Sequence, residues 1–236
     1  MYDTLLQLPL FQGLCKDDFT SIIEKVKFHF QHIEAGKQLF AQGETCKQLV
    51  FLLEGQISSH TQSDTFNYLL TEIHQSLSVI EPYALFGMET QFTATYKAHT
   101  PIKLLTIDKH FVLSELCNYE IFRINFLNFL CNRCQTTGQK LRNSRTGNIK
   151  EKLADFFILR CTKAEGEKLL QITMEDLAYL INETRINVSK LLNELHEKGF
   201  IQLRRKEIAV PALEKLLQEF TVSIQFSGCQ LSFERS

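Results

Sequence analysis

Proline and glycine are scarce, with 4 and 10 residues in a chain of 236, so neither a collagen repeat nor a long disordered linker fits the composition. No stretch of about 18 apolar residues occurs, which excludes a membrane-spanning helix. The N-terminus, Met1-Tyr-Asp-Thr-Leu-Leu-Gln-Leu-Pro, has no basic run and no sustained apolar core, so export by a signal peptide is not expected. The 7 cysteines are odd in number and scattered; they make no disulfide framework, and a reducing cytoplasm is the expected compartment. Catalytic signatures are missing as well. There is no Gly-rich phosphate loop, no His-Glu-x-x-His and no Gly-x-Ser-x-Gly, so an enzyme reading has nothing to rest on.

What is there is a globular chain, 44% hydrophobic and 22% charged, long enough for one large domain or two small ones. The net charge of -1 hides an asymmetry. Residues 1–137 carry 10 Lys and Arg against 14 Asp and Glu, whereas residues 138–210 carry 14 against 10. Such a split suggests an acidic module joined to one that meets a polyanion.

From Glu34 to about Ile107 short apolar runs alternate with glycine turns: Gly36-Lys-Gln-Leu-Phe-Ala-Gln-Gly43-Glu, Leu49-Val-Phe-Leu-Leu-Glu-Gly55 and Leu104-Leu-Thr-Ile. That pattern predicts a sandwich or barrel. A helix from Leu14 to Val26, with Phe19, Ile22, Ile23 and Val26 on one face, is expected to close one end. Phe111 to Leu141 reads as one helix, apolar nearly all round, and so covered on more than one face. A partner subunit is the favoured cover, an ordinary buried helix the alternative. Gly138, Asn143, Ser144 and Gly147 then read as a hinge.

Further helices are predicted over Ile149 to Cys161, Thr173 to Ile181 and Thr184 to Lys198, the last stopped by Gly199. Thr173 with Asp176 resembles a capping box. Strand-like runs Phe200 to Leu203 and Ile208 to Val210 flank Arg204-Arg205-Lys206-Glu207, and an amphipathic helix begins at Leu213. Two short helices joined at Asn182-Glu183 have the form of a helix-turn-helix. On the second, Val188, Leu191, Leu192 and Leu195 share the buried face, which turns Ile186, Ser189, Lys190 and Asn193 outward, with Arg185 on the flank. Arg grips guanine bidentately, Asn and Ser bond base edges, and an apolar tip suits a thymine methyl. An exposed Ile186 is informative, although single exposed apolar residues are ordinary. Arg204, Arg205 and Lys206 would reach phosphates, or else form a solvated hairpin tip.

The order of roll, apolar helix, hinge, helix-turn-helix and basic hairpin resembles the cyclic-AMP receptor protein/FNR (CRP/FNR) family of bacterial transcription regulators over nearly the whole chain. The carrying segments are Gly36 to Gly55 and Leu177-Ala178-x-Leu-Ile-Asn-Glu-Thr184-Arg185-Ile186-Asn187-Val188-Ser189-Lys190. The resemblance implies an α+β chain. Its parts would be a jelly-roll, cyclic-nucleotide-binding-like sensory domain (1–110), a dimerisation helix and hinge (111–145), a winged helix-turn-helix domain (146–212) and a C-terminal extension (213–236). It further implies a homodimer on a two-fold symmetric DNA site, with RNA polymerase as a partner and no membrane. The DNA-contacting set would be Thr184, Arg185, Ile186, Asn187, Ser189, Lys190, Asn193, Arg204, Arg205 and Lys206.

Two departures stand out. Ile186 occupies the place of the family's usual Glu, which implies a different operator. Family members that bind cyclic nucleotides show Gly-Glu followed by Arg-Ser or Arg-Thr. Alignment puts Gly87-Met88 and Phe92-Thr93 there, and a buried cyclic phosphate without its Arg is costly, so cyclic AMP is not the expected effector. Phe86, Gly87, Met88, Phe92, Thr93 and Thr137 form the expected effector pocket. Arg133 and Lys140 stand in the helix segment that would approach a ligand, and Lys97 or His99 could supply charge under another alignment.

No cofactor is assigned. Cys131-Asn-Arg-Cys134 has metal-ligand spacing, but buried thiols are the favoured reading. An FNR-type iron–sulfur cluster is not expected with only Cys15 near the N-terminus, His29-Phe-Gln-His32 is thin, and haem ligation by a roll histidine stays open. Two other readings remain: a signal-binding module that acts through protein partners, and a DNA-binding regulator with no effector.

Overall fold

The computed structural model describes residues 2–63, 65–143 and 147–220. The chain starts with α1 (Tyr2–Leu6) and α2 (Lys16–Lys25). The Cys15 sulfur accepts from the Asp18 amide at the N-terminus of α2. Phe19 and Ile22 face inward and pack beside Phe11, which lies against Phe19 and Phe51. The helix predicted from Leu14 to Val26 therefore forms, trimmed by its caps.

Eight strands follow: β1 (Phe28–Ile33), β2 (Gln38–Phe40), β3 (Gln48–Glu54), β4 (Gln56–Ser63), β5 (Tyr68–Gln75), β6 (Ser78–Ile80), β7 (Thr95–Ala98) and β8 (Ile102–Asp108). They fold as a roll of two antiparallel layers. One layer runs β1-β8-β3-β6, and β5-β4-β7-β2 belong to the other. Gly55 turns the chain from β3 into β4 at φ +84°, where a Cβ would run into the Pro101 carbonyl oxygen. Leu49, Phe51, Leu104, Leu105 and Ile107 are buried in the core of the roll.

After β8 the single helix expected from Phe111 to Leu141 is two. The first is α3 (Lys109–Ser114); a 3-10 turn at Leu116–Asn118 separates it from α4 (Glu120–Asn143). The break has a local cause: the Asn118 side-chain amide donates to the Ser114 carbonyl at 2.6 Å, taking the bond that a continuing helix would supply. Gly138 does not interrupt α4, which runs through it to Asn143. Of the other expected hinge residues, Ser144 lies outside the described residues.

The C-terminal part comprises α5 (Ile149–Arg160), β9 (Lys168–Gln171), α6 (Met174–Leu180), α7 (Arg185–Glu197), β10 (Gln202–Arg204), β11 (Glu207–Val210) and α8 (Leu213–Glu219). Both hairpin strands lie a residue or two from their predicted positions, and Phe200 precedes the strand. A second core gathers Leu153, Phe157, Leu177, Val188, Leu192 and Leu195, joined by Leu213, Leu216, Leu217 and Phe220 of the last helix and its end. The tail from Gln225 lies outside the described residues.

The two parts share a sheet. β9 pairs with β11 on one side and with β5 of the roll on the other, making a seven-stranded sheet ordered β10-β11-β9-β5-β4-β7-β2. At this seam Glu72 and Lys168 are cross-strand partners, buried and 2.8 Å apart. Among the described residues no helix is long and apolar enough to cross a membrane.

Candidate functional site

Helix α7 starts where the sequence supplies a cap: the Thr184 hydroxyl accepts from the Asn187 amide at 3.2 Å. Thr173 does the same for α6, accepting from the Asp176 amide at 3.1 Å while donating to its carboxylate at 2.6 Å. Between them Asn182 takes φ +50°, a left-handed conformation that Asn tolerates better than most residues. Lys152 of α5 then ties the turn down, donating to the Asn182 carbonyl at 3.2 Å and to Glu183 at 2.7 Å. That hydrogen bond from Lys152, followed by one from Asn187, holds the Glu183 carboxyl below its ordinary range.

With Val188, Leu191, Leu192 and Leu195 buried, the opposite side of α7 faces water. Thr184, Arg185, Ile186, Asn187, Lys190 and Asn193 are exposed, and Ser189 is half-buried. Ile186 keeps 67% of its surface in solvent. Two of the set have neighbours within the chain: Arg185 lies 3.2 Å from Glu175, and the Asn187 amide donates to Glu183 at 3.4 Å. Tyr179 on α6 is also largely exposed, an aromatic off the Leu177–Ala178 buried face that sequence reasoning passed over.

Beyond α7, β10 and β11 form a hairpin with Arg205 and Lys206 at its turn, Lys206 at φ +59°. Arg204, Arg205 and Lys206 are exposed, with Arg204 held 3.3 Å from Glu207. The Lys206 carbonyl accepts from the Ile172 amide at 3.0 Å, which fixes the hairpin to the end of β9.

The expected pocket residues of the roll have differing surroundings. Met88 is fully exposed beside Gly87, which turns at φ +106°. Phe92 is buried and stacks on Phe40 with centroids 4.4 Å apart, beside a cleft of about 460 Å³ lined in part by Lys47, Gln48 and Asp108. Phe86 packs edge-on against Phe126 of α4, and Thr137 is exposed on the same helix.

Thr93, another of the expected set, belongs to a group that converges on Glu81. Glu81, at φ +37° before a 3-10 turn Pro82–Leu85, is a buried carboxylate. It accepts from the Thr93 amide at 2.8 Å, the Thr93 hydroxyl at 2.6 Å and the Tyr96 hydroxyl at 2.8 Å. Burial and then this nearby carboxylate push Tyr83 up to about 12 and raise Tyr96 further. Arg133 of α4 lies over the Tyr83 ring at 3.8 Å, joining the cluster to the long helix. The sequence signal for Glu81, an acid just before a proline in an apolar run, was too slight to find it.

The thiols at Cys131 and Cys134 are exposed, so the buried-thiol reading of that pair is overturned. Within one chain, no three His, Cys, Asp or Glu side chains group to hold a metal among the described residues.

Two segments of the chain match known protein families. Residues 30–119 match the cyclic nucleotide-binding domain, and residues 151–219 the Crp-like helix-turn-helix domain. The global nitrogen regulator of Nostoc sp. is 24% identical over 195 residues, covering 80% of this chain and 87% of that protein. A CRP-like cAMP-activated global transcriptional regulator of Mycobacterium tuberculosis is 22% identical over 230 residues, covering 92% and 98%. A solved CRP/FNR-family structure from Eubacterium rectale shares the fold with a TM-score of 0.52 at 17% identity, covering 90% of this chain and 99% of that one. With a nucleotide-binding-type roll, a long helix and a Crp-like reading head in that order, the chain belongs to the CRP/FNR family of DNA-binding transcription regulators, which are not enzymes.

Proposed function

We propose that the chain works as a homodimer in the cytoplasm, reading a two-fold symmetric DNA site through α7, with the roll sensing a signal other than cyclic AMP and RNA polymerase as the downstream partner. The observation that carries this reading is the exposed row Arg185, Ile186, Lys190 and Asn193, set opposite the buried leucines of a capped second helix. Arg185 and Asn193 are the polar readers, Ser189 lies at the edge of the row, and Ile186 is the apolar tip for a thymine methyl. Arg204, Arg205 and Lys206 anchor on phosphates. In a dimer the two α7 helices would enter successive major grooves about 34–36 Å apart. A signal in the roll would act by shifting how often both helices fit.

The signal is not chosen by kinship, since one relative is named for cyclic AMP and another for nitrogen regulation. Glu81 argues against a cyclic phosphate in its neighbourhood, because its own negative charge is buried there and already holds three donors. The same observation favours a second reading, in which the roll needs no ligand and the regulator is constitutive. Selecting bound fragments from a random DNA pool, with and without cell extract, tests both. A palindromic motif whose affinity falls steeply with salt supports the DNA-reading dimer. No enrichment would refute it and favour action through protein partners. Titrating cyclic nucleotides, haem and oxidants against affinity for the selected site separates a sensor from a constitutive protein.

A further inference from the structure

Helix α4 carries two rows of side chains on different sides. Phe122 and Phe126 are buried in the roll core, Phe129 and Leu130 pack against it, and Arg133 covers Tyr83, so this row docks α4 to its own roll. A second row, Ile124, Leu127, Cys131, Cys134, Gly138 and Leu141, sits about 140° round the helix at 100° per residue. Its spacing alternates three and four residues, the a and d pattern of a two-stranded coiled coil. The chain itself leaves this row uncovered: Ile124, Leu127 and Leu141 are 43%, 53% and 65% exposed, and both cysteines are exposed. A Cβ on Gly138 would meet nothing within 4 Å, which leaves room there for a second backbone.

The roll lies at one end of α4 and the reading head follows the other, so two copies with both heads on one duplex pair their α4 helices in parallel and in register. We infer that this pairing assembles a four-thiolate site for a soft, thiophilic metal ion such as zinc or cuprous copper, from Cys131 and Cys134 of each copy. The inference rests on the dimer reading above. Cys131 and Cys134 fall on consecutive a and d layers, about 4.5 Å apart along the axis. A tetrahedron of sulfurs about 2.3 Å from a metal has edges of about 3.8 Å, a difference that side-chain rotation closes. Thiolate ligands suit such ions. Arg123, Arg133, Lys140 and Arg142 against Glu120 give α4 a net positive charge, a more favourable setting for anionic thiolates than an acidic helix.

The test uses the full-length protein, reduced and kept from oxygen, titrated with cadmium ion as the spectroscopic probe. The expected result is a thiolate-to-cadmium charge-transfer absorption that saturates at one ion per two chains. In Cys131→Ser and in Cys134→Ser the affinity should fall about tenfold or more, while sedimentation finds both variants still dimeric. A dimer that takes up no cadmium, that saturates at one ion per chain, or whose absorption ignores both substitutions overturns the site but not the dimer. So does a dimer that only cross-links through these cysteines on oxidation and binds no metal. A monomeric wild type overturns the dimer reading and the site together.

Discussion

Removing the Glu72 charge should destabilise the joint between roll and reading head by about 3–5 kcal/mol, because Lys168 would be left buried without a counter-charge. Both residues are 2% exposed, the ammonium sits 2.8 Å from one carboxylate oxygen, and the Thr162 amide donates to both oxygens. Glu72→Gln keeps the shape and a hydrogen-bond acceptor, so its effect isolates the charge. Lys168→Met should cost less, since Thr162 still serves the carboxylate. The double variant Glu72→Leu/Lys168→Met, which buries no ion, should lie close to wild type or above it. Urea unfolding followed by circular dichroism gives the stabilities, and hydrogen exchange of the β9 amides reports the joint itself.

Acidity supplies a second check on the same pair. Burial alone would raise the Glu72 carboxyl, but the Lys168 charge, its hydrogen bond and the Thr162 amide outweigh burial and hold it below its ordinary value. A depressed folded value means that the stabilisation is full above the unfolded value of about 4.3 and fades as pH falls through the folded one. The gap between wild type and Glu72→Gln should therefore close in acid. A single variant within about 1 kcal/mol of wild type at neutral pH, or a double as damaged as the sum of the singles, would refute the reasoning.

Other outcomes follow from the reading head and the roll. Arg185→Ala should lose about 1–3 kcal/mol at a guanine in each half-site, whereas Arg204→Ala should weaken all sequences nearly equally; competition binding across site variants reads the difference. Ile186→Glu should move the selected base at one half-site position from thymine toward cytosine, and an unchanged motif counts against Ile186 facing the groove. Thr184→Ala removes the α7 cap and should lower stability by about 1 kcal/mol in thermal unfolding. Tyr96→Phe takes one donor from buried Glu81 and should cost about 1–3 kcal/mol, with no loss refuting the role of that bond.

The reading head was legible because its signals are local. The i, i+3, i+4, i+7 leucines of α7, the Thr184 cap and the stop at Gly199 all lie within one helix and its ends. Strand β4 was not, since Ser58, Ser59, His60, Thr61 and Gln62 give no apolar alternation to read. The break before α4 depends on one side chain, Asn118, which composition cannot distinguish from any other polar residue. The joint through β5 and β9 pairs residues about a hundred positions apart, and nothing in either strand announces its partner. Glu81 was missed for the same reason: its meaning comes from Thr93 and Tyr96, which only the folded roll sets around it.

Helix α4 has one row of side chains locked into its own roll and another exposed on a different side, and both are fixed on a single rigid cylinder. Any repacking around Tyr83 that swivels this cylinder by a few degrees must turn the other row by the same angle. A disturbance inside one roll is thus transmitted as torque, without a separate relay. Two copies held together along that row would have to rotate as a geared pair or come apart.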